Sequence, residues 1–175
     1  KVPEGWDIVE LGKLVSEVRD AVDPTTLAPG TPYFGLEHLP RRSIGLGEWG
    51  NAGAVKSTKL RVRAMDILFG KIRPYFHKVG PSPIDAVCSS DIVVLRVSIP
   101  INYGLVLTIA SSDEFVALAT RTSQGTGMPR ANWGVLRRHL LALPPPKLLK
   151  QFNDLVTDQV RMIRALLFRS RNLAT

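Results

Sequence analysis

Across residues 1–143 the apolar side chains come in short runs that Gly and Pro keep interrupting, a pattern of strands and loops with a little helix. Residues 60–69, 72–79 and 92–97 are rich in β-branched and aromatic side chains and bounded by Gly or Pro, so each is predicted to be a strand. Pro74 lacks the N–H that a central strand must donate. The second of these strands therefore belongs at a sheet edge or carries a bulge, with Arg73 and Tyr75 pointing outward. Residues 101–110, apolar at Leu105, Val106 and Ile109, predict a short helix. Ser112, followed by Asp113 and Glu114, has the form of an N-cap with an acidic first turn leading into a second helix over 115–119.

The pattern changes at Pro144, Pro145 and Pro146, which continue neither a helix nor a central strand. Residues 147–173 contain no Pro or Gly. Leu149, Phe152, Val156, Ile163, Leu166 and Leu173 recur at spacings near three and four around the polar Gln159 and Ser170. At about 1.5 Å per residue this is a rod of roughly 40 Å, longer than a small body needs for its own core. The seam predicts a coiled-coil partner helix, with Gln159 setting register; packing along the chain's own body is the alternative. The fold class expected is α/β of the α+β kind. A mixed sheet with short helices occupies residues 1–143, and a long helix segment follows over 144–175.

The 175-residue chain is 45% hydrophobic and 22% charged, enough for one ordinary core and too apolar for a disordered chain. No apolar run approaches the roughly 18 residues a membrane span needs. Without a recognisable signal segment, and with Cys88 the sole cysteine, a cytoplasmic location is expected. A formal net charge of +8 asks for a polyanionic partner, nucleic acid before membrane. The excess is local. Residues 1–23 are net acidic, whereas Lys56, Lys59, Arg61, Arg63, Lys71, Arg73 and Lys78 face only Asp66 within 56–78. A solvated face of a basic protein is the plain alternative to a phosphate-binding footprint.

Catalytic signatures are sparse. Gly45, Gly47 and Gly50 spell G-x-G-x-x-G, but no apolar strand precedes them and no amphipathic helix follows, so they denote a loop. Phosphate-cradle, zinc-helix, paired C-x-x-C and nucleophile-elbow motifs are missing. Cys88 with His77 and Asp91 has the residue types of a thiol hydrolase, yet beside Val87 and Ser89 it reads better as a small buried hydrophobe. His38 and His139 have no ligand-like partners, so no metal is expected. The segment 122–133 is the best binding loop: Gly125 and Gly127 permit close approach, while Gln124, Thr126 and Asn132 offer hydrogen bonds. Arg130 adds a planar fork suited to phosphate or guanine. A second cluster at 68–78 interleaves Lys71, Arg73 and Lys78 with Tyr75. Trp6, Trp49 and Trp133 read as core anchors.

The opening VPEGWDIVELGKLV, DILFGKIRPYFHK at 66–78, CSSD at 88–91, QGTGMPR at 124–130 and LALPPPKLLKQF at 141–152, in this order, resemble one half of the DNA specificity subunit of type I restriction-modification systems. The resemblance spans essentially the whole chain. It implies a target recognition domain over 1–143 and a conserved-region helix over 144–175 that pairs with an equivalent helix. It also implies a non-catalytic role: the subunit reads double-stranded DNA and directs an adenine methyltransferase subunit and a restriction subunit. S-adenosylmethionine, ATP and magnesium then belong to those partners, with no cofactor or metal on this chain. The expected DNA-binding residues are Lys56, Lys59, Lys71, Arg73, Tyr75 and Lys78 toward phosphate, with Gln124, Thr126 and Arg130 toward bases. Leu149, Phe152, Val156, Gln159, Ile163 and Leu166 are expected at the helix interface.

Complete members of that family usually carry two target domains and two long helices, so this sequence is expected to be either a fragment or a half-subunit that homodimerises. The competing class is a stand-alone nucleic-acid-binding protein with no methyltransferase partner.

Overall fold

The computed structural model describes residues 2–54 and 57–173. In chain order its strands are β1 (Asp7–Glu10), β2 (Val15–Val18), β3 (Ala21–Val22), β4 (Pro32–Phe34), β5 (Gly50–Asn51), β6 (Lys59–Val62), β7 (Ile67–Gly70), β8 (Val79–Pro81), β9 (Ala86–Cys88), β10 (Ile92–Val97) and β11 (Leu140–Leu143). The helices are α1 (Tyr103–Ala110), α2 (Asp113–Arg121), α3 (Trp133–Leu136) and α4 (Pro146–Leu173). None is both long and apolar enough to cross a membrane.

Two larger sheets share the body. One is antiparallel in the order β2-β10-β7-β8; the other runs β3-β6-β9-β4-β5, with β4 parallel to β9. The period-two alternation of β7 and β10 explains how these sheets enclose two cores. Ile67, Phe69, Val93 and Leu95 point into one cluster with Val106, Leu107, Phe115 and Trp133. Leu68, Ile92 and Val94 point the other way, into a second cluster with Phe34, Leu39, Leu46, Val62 and Cys88. A strand buried on both faces reads as an unbroken apolar run, which is the form of residues 92–95, ahead of Arg96.

The strand at 92–97 and the helix at 103–110 lie where the pattern placed them, the latter after a 3-10 turn at Pro100–Asn102. Ser112 caps α2, its Oγ accepting the Phe115 N–H at 3.2 Å. Residues 60–69 are not one strand. Asp66 accepts the Arg63 N–H at 2.8 Å and Met65 adopts a φ of 73°, so the chain turns between β6 and β7 and changes sheet. Residues 72–79 are not a strand either. Ile72 makes one isolated bridge, Pro74–Phe76 forms a 3-10 turn, and only Val79 enters β8. The fixed φ of Pro74 starts that turn rather than bulging a strand.

β11 pairs with β1 as a two-stranded ribbon, after which α4 lies back along the body. Leu149 and Val160 are buried, and Asn153 Oδ1 accepts the Gly104 N–H of α1 at 2.8 Å. Farther along, Phe168 meets Trp49 edge to face at 6.1 Å, and the Arg171 guanidinium sits 3.7 Å over the Trp49 ring. The predicted seam is thereby divided. Leu149, Val156 and Ile163 turn toward the body, whereas Gln159 and Leu166 are exposed and Phe152 is half-buried. The expectation of a single seam used up by a partner helix is corrected: this helix has an inward apolar face and a separate outward one.

Candidate nucleic-acid interface

Backbone hydrogen bonds bring the two polar clusters together. Ile72 bridges Arg130; the Ala131 N–H donates to Lys71 O at 2.8 Å, and the Arg73 N–H donates to Pro129 O at 2.8 Å. Gln124 and Arg130 exchange both backbone hydrogen bonds, at 3.0 and 2.8 Å, closing the loop between them. Lys71 is anchored on its other side by its N–H to Asp91 O at 2.8 Å, just before the central strand β10. Segments some fifty residues apart in sequence therefore form one surface on a rigid sheet, the arrangement that positions binding loops.

A groove of about 410 Å³ runs along this surface, lined by Glu17, Arg19, Lys71, Gln124, Arg130 and Asn132 over Val93 and Trp133. Arg19 donates through Nε to Glu17 Oε2 at 2.8 Å, so that pair is internally neutralised. Lys71, Arg73 and Arg130 form no ion pair among the described residues. The groove thus combines unpaired cations with amide side chains that both donate and accept and a carboxylate that accepts, the mixture needed to meet phosphates and base edges together. Thr126 stands exposed within the closed loop. Tyr75 is also exposed, its ring 4.9 Å from Phe76, which lies under the Arg41 guanidinium at 4.0 Å.

Two predicted phosphate ligands are engaged inside the fold. Lys59 is 4% exposed, with its ammonium donating to the carbonyl and hydroxyl oxygens of Ser57, both at 2.6 Å. Lys78 donates to Leu36 O, and burial, reinforced by the Arg41 charge, lowers its pKa. Both lysines are corrected from surface contacts to structural donors. Lys56 lies outside the described residues. Glu17 and Arg19 join the groove unforeseen, because the acidic N-terminal segment argued against a phosphate surface and the β2–β10 pairing leaves no local trace.

A larger cavity of about 630 Å³ between the body and α4 carries mostly paired charges: Asp66 with Arg96, Asp154 with Lys150 and Asp158 with Arg161. Cys88 is buried in β9, and burial followed by the Asp66 charge pushes its thiol up to about 12. The His77 ring meets Ser111 O at 2.8 Å and Asp113 Oδ1 at 3.3 Å, rather than Cys88.

No protein-family model matches the chain, and no curated protein matches it. Solved structures do. The HsdS subunit from Thermoanaerobacter tengcongensis superposes with a TM-score of 0.72 at 20% identity, over 95% of this chain and 45% of that one. A chain from a structure of complex assembly and conformational transition in the type I R-M system gives 0.70 at 22% identity, over 99% and 46%. The fold is that of these proteins, and the present chain spans less than half the length of each.

Proposed function

We propose that this chain is one DNA-reading half of a type I restriction-modification specificity subunit, a non-catalytic component that directs partner enzymes to a double-stranded target. The chief support is the fold likeness to HsdS over 95% of the chain. The groove adds a mechanism. Lys71 and Arg130 in the groove, with Arg73 beside it, supply phosphate contacts that fix register, while Gln124 and Asn132 in the groove and the exposed Thr126 of the same loop meet base edges and Glu17 supplies an acceptor for a cytosine amine. An amide side chain pairs best with adenine and an arginine with guanine, so mixed readout fits the residues present.

In this proposal an adenine methyltransferase subunit and a restriction subunit are the partners, in the cytoplasm. S-adenosylmethionine, ATP and magnesium belong to them. Helix α4 supplies the assembly surface. Leu148, Phe152, Leu155, Gln159, Met162, Leu166 and Leu173 follow one another at alternating spacings of four and three, apart from Arg169, and all but the half-buried Phe152 are exposed. An equivalent helix, from a second half or a second copy, completes that seam. Two copies would read a two-fold symmetric bipartite site.

Modified-base sequencing of DNA from cells co-expressing the chain with an adenine methyltransferase subunit tests this. N6-methyladenine confined to one bipartite motif is expected. Sequence-specific binding without methylation or co-purification would favour a stand-alone DNA-binding protein instead.

A further inference from the structure

Arg73 and His77, neither of them glycine, hold left-handed backbone at φ 49° and 52° on either side of the Pro74–Phe76 turn. L-residues rarely adopt this conformation, and it persists where surroundings over-determine it. Here they do. The Phe76 and His77 N–H groups return to Arg73 O and Pro74 O, both at 2.9 Å, and the Arg42 N–H donates to His77 O at 2.8 Å. Pro74 and His77 are buried, and Arg41 covers the Phe76 ring. The side chain this braced turn leaves outside is Tyr75, 49% exposed.

A second apolar tip lies beside it. The Arg73–Pro129 hydrogen bond, one of the two that make the isolated Ile72–Arg130 bridge, ties the start of the turn to Pro129, and Met128, 52% exposed, is the residue just before it. Lys71, Arg73 and Arg130 flank both tips. An aromatic and a thioether, held on rigid supports and ringed by cations, form the combination by which side chains enter a base stack while phosphates are gripped on either side.

We propose that Tyr75, with Met128 beside it, is a wedge that unstacks one base step of double-stranded DNA and bends the duplex. This rests on the DNA-recognition role proposed above. It assigns part of the specificity to deformability of the entered step rather than to hydrogen-bond readout.

The test begins with selection of bound duplexes from a randomised pool by the full chain, after which 2-aminopurine replaces each purine of the selected site in turn. One position is expected to brighten on binding. Tyr75→Ala abolishes that signal and weakens binding about 5- to 150-fold, the fold-change of base–aromatic stacking. The dependence on salt stays unchanged, because no phosphate contact is lost. Tyr75→Phe retains both signal and affinity. A selected site that stays quenched at every position, or brightening that survives Tyr75→Ala, overturns the wedge and leaves DNA recognition standing. A pool from which no sequence is enriched overturns both.

Discussion

The Asp66 carboxylate receives two hydrogen bonds from the Arg96 guanidinium, from Nε at 2.8 Å and from Nη2 at 2.6 Å. Asp66 Oδ2 also accepts the Arg63 N–H, so one residue that is 4% exposed closes the β6–β7 turn and ties it to β10. Removing it leaves a charged donor and a backbone donor unpaired at once. Asp66→Ala should destabilise the fold by about 3 kcal/mol, with partial hydration of Arg96 keeping the loss below that of a fully buried pair. Asp66→Asn, which keeps one acceptor, should lose less. Urea denaturation reads both as lower midpoints with unchanged slope.

Cys88 has a thiol raised from 9.0 to about 12, with burial the main cause. The folded chain then keeps a proton that the unfolded chain releases above about pH 9. The associated stability is complete below that pH and is lost as pH climbs toward 12. Tyr103, raised chiefly by burial, acts with the same sign. Denaturation midpoints between pH 8 and 11 should therefore fall less steeply in Cys88→Ala than in the parent chain. At neutral pH the thiol should react with a disulfide reagent only as fast as the protein unfolds.

The lysines divide by their partners, since Lys59 and Lys78 donate to acceptors within the fold. Lys71→Ala, Arg73→Ala and Arg130→Ala should each weaken binding to all duplexes and reduce the slope of log affinity against log salt by about one. Lys59→Ala and Lys78→Ala should leave the slope alone and instead cost roughly 1–3 kcal/mol of stability, since part-buried hydrogen bonds to Ser57 and Leu36 are lost. Filter binding at several salt concentrations, paired with melting curves, separates the two sets. A slope change in Lys59→Ala would contradict its burial against Ser57 and Tyr33.

These two lysines also show where sequence legibility ends. The Ile92–Val97 strand and the Ser112 cap were readable because their causes are local: a run of β-branched side chains, and a hydroxyl three residues from the N–H it accepts. Lys71, Gln124 and Arg130 were readable as residue types, though not as one groove, because only the Ile72–Arg130 bridge joins them. The hydrogen bond that engages Lys78 depends on Leu36, forty-two positions away, and nothing in the basic run 56–78 distinguishes Lys78 from its neighbours. The turn at Asp66 was hidden for a related reason. It contains neither Gly nor Pro and is held by Arg96, thirty residues later.

Helix α4 posed the same problem in another form, since two apolar faces on one helix interleave into a pattern resembling one seam. Their energetics differ, and so should their mutants. Val160 is 3% exposed and packs in the first core. Val160→Ala should cost about 2 kcal/mol and lower Tm by roughly 4–8 °C, in dilute solution as well as concentrated. Leu155 and Met162 are 58% and 60% exposed, so little of their packing lies within their own body. Leu155→Lys and Met162→Glu should leave the monomer's Tm within about 2 °C, the small effect expected of surface substitutions. They should nevertheless abolish any concentration-dependent association seen by sedimentation, because a charge at a seam position is desolvated only when a second helix arrives. If both substitutions preserve association while Val160→Ala disrupts it, the outward stripe is not the assembly surface and subunits meet elsewhere on the body.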